Sequence, residues 1–350
     1  MAVKNVVEAW SGPGRRDGTI TALRPADNAA HPSTDKHAFE HWYFDARLDD
    51  GHIVVGFFQG RELVSRKPGV ELHIYSPDGT RREIVRHYSD EQVSASPDEC
   101  RIRIGDNTAE SDHTGPLPVH RIHLAEEDVA FDLTFHSEVP GWMPGRGQTS
   151  YGDREFFAWA VGAPRARVSG TVRIGDRVLD ATGLGYHDHN WGVGDMKRII
   201  DRWYWGRLYV DDLTLIYATV LTQKGYGAHW STPLMLALGD RVVLSTGEIE
   251  VRPGPIRFDA VANREYPTSL RLVAPGQVDL SLNVRRIVHA HDFLADVPVV
   301  RTPLVKPLVN RLVGRPGYFR FESDFTLSAT VDGQRFEREG STLHEMVALK

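Results

Sequence analysis

The chain has 350 residues, a formal charge of −6, 41% hydrophobic and 25% charged residues, which fits a soluble globular protein long enough for two cores. Lys and Arg are scattered without a basic stripe, so no nucleic acid partner is expected. Cys100 is alone, which excludes an intramolecular disulfide and a cysteine-based metal cluster.

In chain order, the first residues lack the apolar stretch of a signal peptide. The longest apolar run, around 213–221, is too short to span a bilayer. A cytoplasmic address is the default expectation. Phe39-Glu40-His41-Trp42-Tyr43-Phe44-Asp45 reads as a strand with Glu40, Trp42 and Phe44 on one face and His41, Tyr43 and Asp45 on the other. His52 to Phe58 reads as a buried strand. Val70 to Tyr75 alternates and meets Ser76-Pro77-Asp78-Gly79, a hairpin turn. Arg101-Ile102-Arg103-Ile104 runs into another turn. The Gly- and Pro-rich stretch around Trp142 reads as a loop, a candidate lid. Arg173-Ile174-Gly175-Asp176-Arg177 and Ala329-Thr330-Val331-Asp332-Gly333-Gln334 are strand-turn-strand signatures. Helical signal is scarce. The best case is 303–313, with Thr302 as N-cap, Leu304, Leu308 and Leu312 at four-residue spacing, and Gly314 as the stop. It reads as a plug at a barrel end. Many short strands between turns predict an all-β sandwich or barrel.

Two pairs of segments repeat. Trp42-Tyr43-Phe44 matches Trp203-Tyr204-Trp205, with the first Trp residues 161 apart. Gly183-Leu184-Gly185-Tyr186-His187-Asp188 matches Gly340-Ser341-Thr342-Leu343-His344-Glu345, with the His residues 157 apart. Two matches in one order at nearly one offset predict a duplicated β-domain, with domains at 1–195 and 196–350.

The densest cluster of chemistry is Tyr186-His187-Asp188-His189-Asn190-Trp191. On a strand, Tyr186, Asp188 and Asn190 face one way, and His187, His189 and Trp191 the other. A buried Asp beside aromatic rings has a raised pKa, as a general acid at neutral pH requires. Bracing of backbone at a domain junction is the plainer reading of each residue alone. Trp203, Trp205, Arg207, Tyr209 and Asp211 share a strand face. The rings form a π-rich wall able to stack on a polyene or to face a developing carbocation, or they are packing alone. His187 with His189, and His289 with His291, repeat a His-x-His spacing that could join Glu40, Glu345 or Asp292 at a metal, but that spacing is short and common. No metal and no cofactor are expected. Nucleotide-binding and nucleophile-elbow motifs are absent.

These clusters together resemble the bacterial carotenoid 1,2-hydratase (hydroxyneurosporene synthase) and AttH-like family. Glu40-His41-Trp42-Tyr43-Phe44-Asp45 is similar to its N-terminal signature. Gly185-Tyr186-His187-Asp188-His189-Asn190-Trp191-Gly192 is similar to its central one, and Tyr318-Phe319-Arg320-Phe321 through His344-Glu345-Met346 to its closing segment, so the likeness spans residues 36–348. It implies two lipocalin-like antiparallel β-barrels packed together with little helix and a pocket where they meet. It also implies hydratases, isoprenoid cyclases or Diels–Alderases as functional kin. The expectation is a cofactor-independent enzyme acting on a large hydrophobic small molecule. Acid-initiated hydration or cyclisation of a C=C bond is the first reading, a pericyclase the second, and a non-catalytic carrier the third. Catalytic candidates are Asp188, His187, His189, Glu40 and Tyr43. Substrate-binding candidates are Trp42, Tyr186, Asn190, Trp191, Trp203, Trp205, Arg207 and Tyr209. A peripheral membrane contact is one route for collecting such a substrate. Substrate identity and oligomeric state stay open.

Overall fold

The computed structural model describes residues 3–10, 20, 22–63, 65–295 and 314–350. Strand accounts for 64% of it and helix for 4%, so the fold is all-β. The helix expected over 303–313 lies outside the described residues.

Two large antiparallel sheets carry the chain. The first follows the order Arg81–His87, Gly69–Tyr75, Ile53–Arg61, Ala38–Leu48, Gly183–Val193, Glu155–Ile174, Val129–Ser137, Val119–Glu126, Asn107–Asp112, Arg101–Ile104, Val93–Ala95. Its last long strand, Gly183–Val193, thus returns to pair with its first, Ala38–Leu48. The seam is left between Arg81–His87 and Val93–Ala95, neighbours in sequence that are not paired. The second sheet repeats this plan. Gln334–Ala348 returns to Ile200–Val210, and the seam falls between Arg241–Thr246 and Glu250–Pro253. A meander whose last strand closes on its first is an up-and-down barrel. In both barrels the closing pair is the Trp-Tyr strand against the Gly-x-x-x-His-acid strand, the two segments whose repetition marks the sequence.

Alternation explains how each sheet curls. Val70, Leu72 and Ile74 are buried in the first core, while Glu71, His73 and Tyr75 face out. The predicted turn is present, with Ser76 N bonded to Thr80 O at 2.9 Å and Gly79 at φ 87°. Asp332 and Gly333 both take positive φ, 50° and 76°, as a two-residue hairpin turn demands. Each barrel encloses its own apolar core. A third cluster lies between them, built from Trp142, Trp159, Val161 and Tyr186 of the first sheet side and Ile216, Ala218, Met235 and Ala237 of the second. Trp142 is fully buried there and its Nε1 donates to Ser245 Oγ at 2.9 Å. The loop expected to be a lid is therefore a rivet between the barrels.

Candidate functional site

The closing strand pair of the first barrel carries most of the predicted residues. Its register sets Glu40 against Trp191, Trp42 against His189, Tyr43 against Asp188, Phe44 against His187 and Asp45 against Tyr186. Cross-strand partners share a face. The pleat therefore divides the candidates into two groups that never meet in one cavity.

The inner group is Glu40, Trp42, His187, His189 and Trp191. Trp42 is fully buried and its Nε1 donates to Asn28 O at 3.0 Å. His187 stacks on Phe44 at 3.9 Å. Its Nδ1 lies 2.9 Å from Tyr43 O, which can only accept, and its Nε2 lies 2.9 Å from Asn28 Nδ2, which can only donate. Both nitrogens are satisfied by a neutral ring, and burial holds the pKa well below its ordinary value. That is a brace inside the barrel. His344, its counterpart in the repeat, is likewise buried in the second barrel, with Nε2 2.8 Å from Ser323 Oγ. His189 stacks on Trp42 at 4.4 Å and on Trp191 at 4.7 Å. Its Nε2 lies 3.0 Å from Glu40 Oε1. Burial raises the Glu40 pKa, but bonds from His189 and His31 outweigh it and hold the carboxyl down to about 2. Among the described residues, His31, Glu40 and His189 form the one group whose ligand atoms could converge on a metal ion.

The outer group faces the second barrel. Asp188 is buried; its Oδ2 accepts from Tyr186 Oη at 2.7 Å and Trp159 Nε1 at 2.9 Å, and its Oδ1 from Asn190 Nδ2 at 2.8 Å. Burial is the dominant effect and pushes the carboxyl up to about 7, against the pull of those donors. Tyr43 Oη donates to Asp45 Oδ2 at 2.6 Å, and Asp45 is paired with both terminal nitrogens of Arg207 from the second sheet. Burial, then the Asp45 carboxylate, pushes the Tyr43 phenol well above its usual range, so it stays a donor. Arg207 lies over the rings of Tyr186, Trp205 and Tyr209 at 5.0, 5.5 and 5.5 Å. Tyr209 Oη donates to Pro164 O at 2.6 Å. Trp205 meets Tyr186 at 5.3 Å and Tyr43 at 6.2 Å, and its buried Nε1 has no hydrogen-bond partner. Trp203 stands apart, packed with Phe39, Ile200 and Val347 at the edge of the junction.

Near Tyr43 stands a carboxylate that the sequence offered only as a possible metal ligand. Glu345 Oε1 accepts from Tyr318 Oη at 2.7 Å and from Arg320 Nε at 3.0 Å. The field of this pair reaches Tyr43. The repeat held the signal, since Glu345 occupies in the second copy the place of Asp188 in the first. Asp45 and Trp159 were also missed; only the register brings them to Arg207 and Asp188. The outer group is thus a buried, ring-walled cluster with one carboxyl lifted by burial and two carboxylates tied to arginines. Such a site can deliver a proton to an apolar ligand or donate hydrogen bonds to a carbonyl.

A family model described as "Domain of unknown function (DUF7064)" matches residues 24–235. The chain belongs to this family. The family's matched span holds every residue of the outer group except Tyr318, Arg320 and Glu345. A hydroxyneurosporene dehydrogenase of Chlorobaculum tepidum is 40% identical over 125 residues, 34% of this chain and 28% of that protein. The ceramide-binding protein svf1 of Schizosaccharomyces pombe is 23% identical over 62% of this chain and 60% of its own. The quinolone epoxide rearrangement protein penF of Penicillium thymicola is 23% identical over 56% and 59%. The chain spans less than two thirds of each of these relatives. Solved structures share the fold over nearly the whole chain. An AttH of Nitrosomonas europaea has a TM-score of 0.62 at 16% identity, covering 97% of this chain and 99% of that one. CghA with Sch210972 gives 0.62 at 12% identity over 96% and 98%. Kievitone hydratase of Nectria haematococca gives 0.56 at 14% over 99% and 97%.

Proposed function

We propose that the protein is an enzyme of lyase or isomerase type that protonates a C=C bond of a large apolar molecule held between the barrels, leading to hydration or cyclisation. The observation that carries this reading is Asp188, buried in a wall of Tyr186, Trp159 and Trp205 with its carboxyl lifted to about 7. In the protonated state Asp188 Oδ1 holds the proton and gives up the Asn190 bond; on transfer to the alkene the carboxylate regains all three donors. The released negative charge is met by Tyr186, Trp159 and Asn190, and the cation by the faces of Tyr43, Tyr186 and Trp205. Neither His187 nor the Glu40–His189 pair enters this step, because both lie on the inner side of the strand pair. The names of the relatives, a hydroxyneurosporene enzyme and a ceramide binder, favour a hydrophobic, lipid-like ligand.

A second reading is a pericyclase. It is favoured by the unpartnered Trp205 Nε1, a buried donor free to polarise a carbonyl, and by the fold shared with CghA. Mass spectrometry of polyenes and oxygenated isoprenoids incubated with the protein separates the readings. Hydration adds the mass of water, cyclisation and cycloaddition keep the mass and change retention, and a carrier returns its ligand unchanged. For the first reading, Asp188→Asn lowers single-turnover rate by about 10²–10⁴-fold while ligand affinity is kept. Near-normal turnover in a folded Asp188→Asn protein overturns it. If Trp205→Phe then lowers the rate more than Asp188→Asn does, the pericyclase takes its place.

A further inference from the structure

We propose that His31, Glu40 and His189 form a binding site for one divalent transition-metal ion of the zinc type, on the inner side of the closing strand pair and separate from the cluster of Asp188. The three groups come from a loop, the Ala38–Leu48 strand and the Gly183–Val193 strand, yet their ligand atoms all lie within 4.8 Å of one another. His189 Nε2 is 3.0 Å from Glu40 Oε1, and His31 Nδ1 is 3.6 Å from the same oxygen. Two donors at about 2.0–2.2 Å from one tetrahedral ion stand about 3.4 Å apart, so both separations already bracket the required value. At 3.6 Å the His31 contact is too long for a hydrogen bond, and His31 Nδ1 is buried with no partner. A buried ring nitrogen without a partner is costly unless something else fills its place.

The donors are also held in position. His31 stacks on Trp191 at 3.8 Å and 5°, and His189 on Trp42 at 4.4 Å and 7°. Two indoles therefore fix the two imidazoles, as a metal site's outer residues do. Glu40 also accepts the His31 backbone N–H at 2.7 Å, which ties the loop to the strand and orients the carboxylate. Two imidazoles and one carboxylate are the borderline donor set that suits zinc and its neighbours rather than calcium or magnesium. On binding, the single proton of neutral His189 moves from Nε2 to Nδ1, which is buried and has no hydrogen-bond partner before the ion arrives. His31 has a side chain 32% exposed, which gives the ion its way in. No sequence spacing announces this set, because His31 reaches it through a loop.

The test uses the full chain after chelator treatment and gel filtration. Cobalt(II) is titrated by calorimetry and by its visible d–d absorption, then displaced with zinc. The expected result is one saturable equivalent with a tetrahedral or five-coordinate spectrum, and at least a tenfold loss of affinity in His31→Ala. Glu40→Gln should lose affinity as well. His31 lies on a partly exposed loop, so His31→Ala keeps the fold and decides the matter even if Glu40→Gln does not fold. A wild-type protein that takes up no stoichiometric ion, or a His31→Ala protein that binds cobalt as wild type does, overturns the proposal. The second result would place the ion on other histidines of the chain.

Discussion

Two carboxyls on adjacent strands, Glu40 and Asp188, are both pushed up by burial and end on opposite sides of the ordinary carboxylate range because their partners differ. Glu40 has imidazole partners and is held down to about 2. Asp188 has only neutral donors, and burial lifts it to about 7. The folded Asp188 value lies above the unfolded one, so its contribution to stability is full below the unfolded pKa and is lost as pH rises through about 7. Glu40 contributes stability that is present above the ordinary carboxylate range and lost as pH falls through about 2. Thermal melts across pH should therefore show a loss of wild-type stability between about pH 4 and 7 from this group, with Asp188→Asn removing much of that slope. Identical slopes in the two proteins would show that Asp188 is ionised throughout. The turnover profile carries the same sign: activity that needs the acid form falls as pH rises through about 7.

The closing strand pair of the first barrel positions Glu40, Tyr43, Asp45, Asp188 and His189, and its glycines explain how. Gly185 sits where a Cβ would meet Phe135 Cε1 at 2.6 Å, Val168 Cγ2 at 2.6 Å and Asp45 O at 2.8 Å. Two of those atoms belong to packed core side chains and the third to the neighbouring backbone, so nothing yields cheaply. Gly185→Ala should cost about 1–3 kcal/mol in denaturant unfolding, with the loss concentrated in the first barrel; a change below about 0.5 kcal/mol would mean that the strands can part there without penalty. The alternation of this element was legible in the sequence: Tyr186, Asp188 and Asn190 do face one way and His187, His189 and Trp191 the other. The side on which each face lay was not legible. Large rings stand on both faces, so hydrophobicity does not mark the core side, and His187 reads as chemistry when it is a neutral brace between Asn28 and Tyr43. The repeat was a better guide than composition, because it ties His187 to the buried His344 and Asp188 to Glu345.

At the scale of the molecule, the two barrels meet through a few polar links set in an apolar seam. Arg207 of the second barrel grips Asp45 of the first, with side chains only 15% and 6% exposed. Arg207→Met leaves Asp45 charged and buried, and should cost about 3–5 kcal/mol, read as earlier separation of two unfolding steps in urea. Arg207→Met with Asp45→Leu should recover most of that loss; failure to recover it would show that Arg207 acts through its stacking on Tyr186 and not through its charge. An all-β sandwich or barrel followed from turn spacing, a duplicated β-domain from the repeat, and the pair of packed barrels from the family resemblance. The buried cluster at the junction did not, because it depends on Trp205 and Arg207 meeting Tyr43 and Asp45 from 162 residues away in sequence. The proposed chemistry depends most on the state of one proton on Asp188. Infrared difference spectra of wild type minus Asp188→Asn, titrated from about pH 5 to 9, read it directly through the carbonyl stretch of a protonated carboxyl. The account predicts a protonated Asp188 that titrates near pH 7. A spectrum showing only carboxylate down to about pH 5 would contradict it.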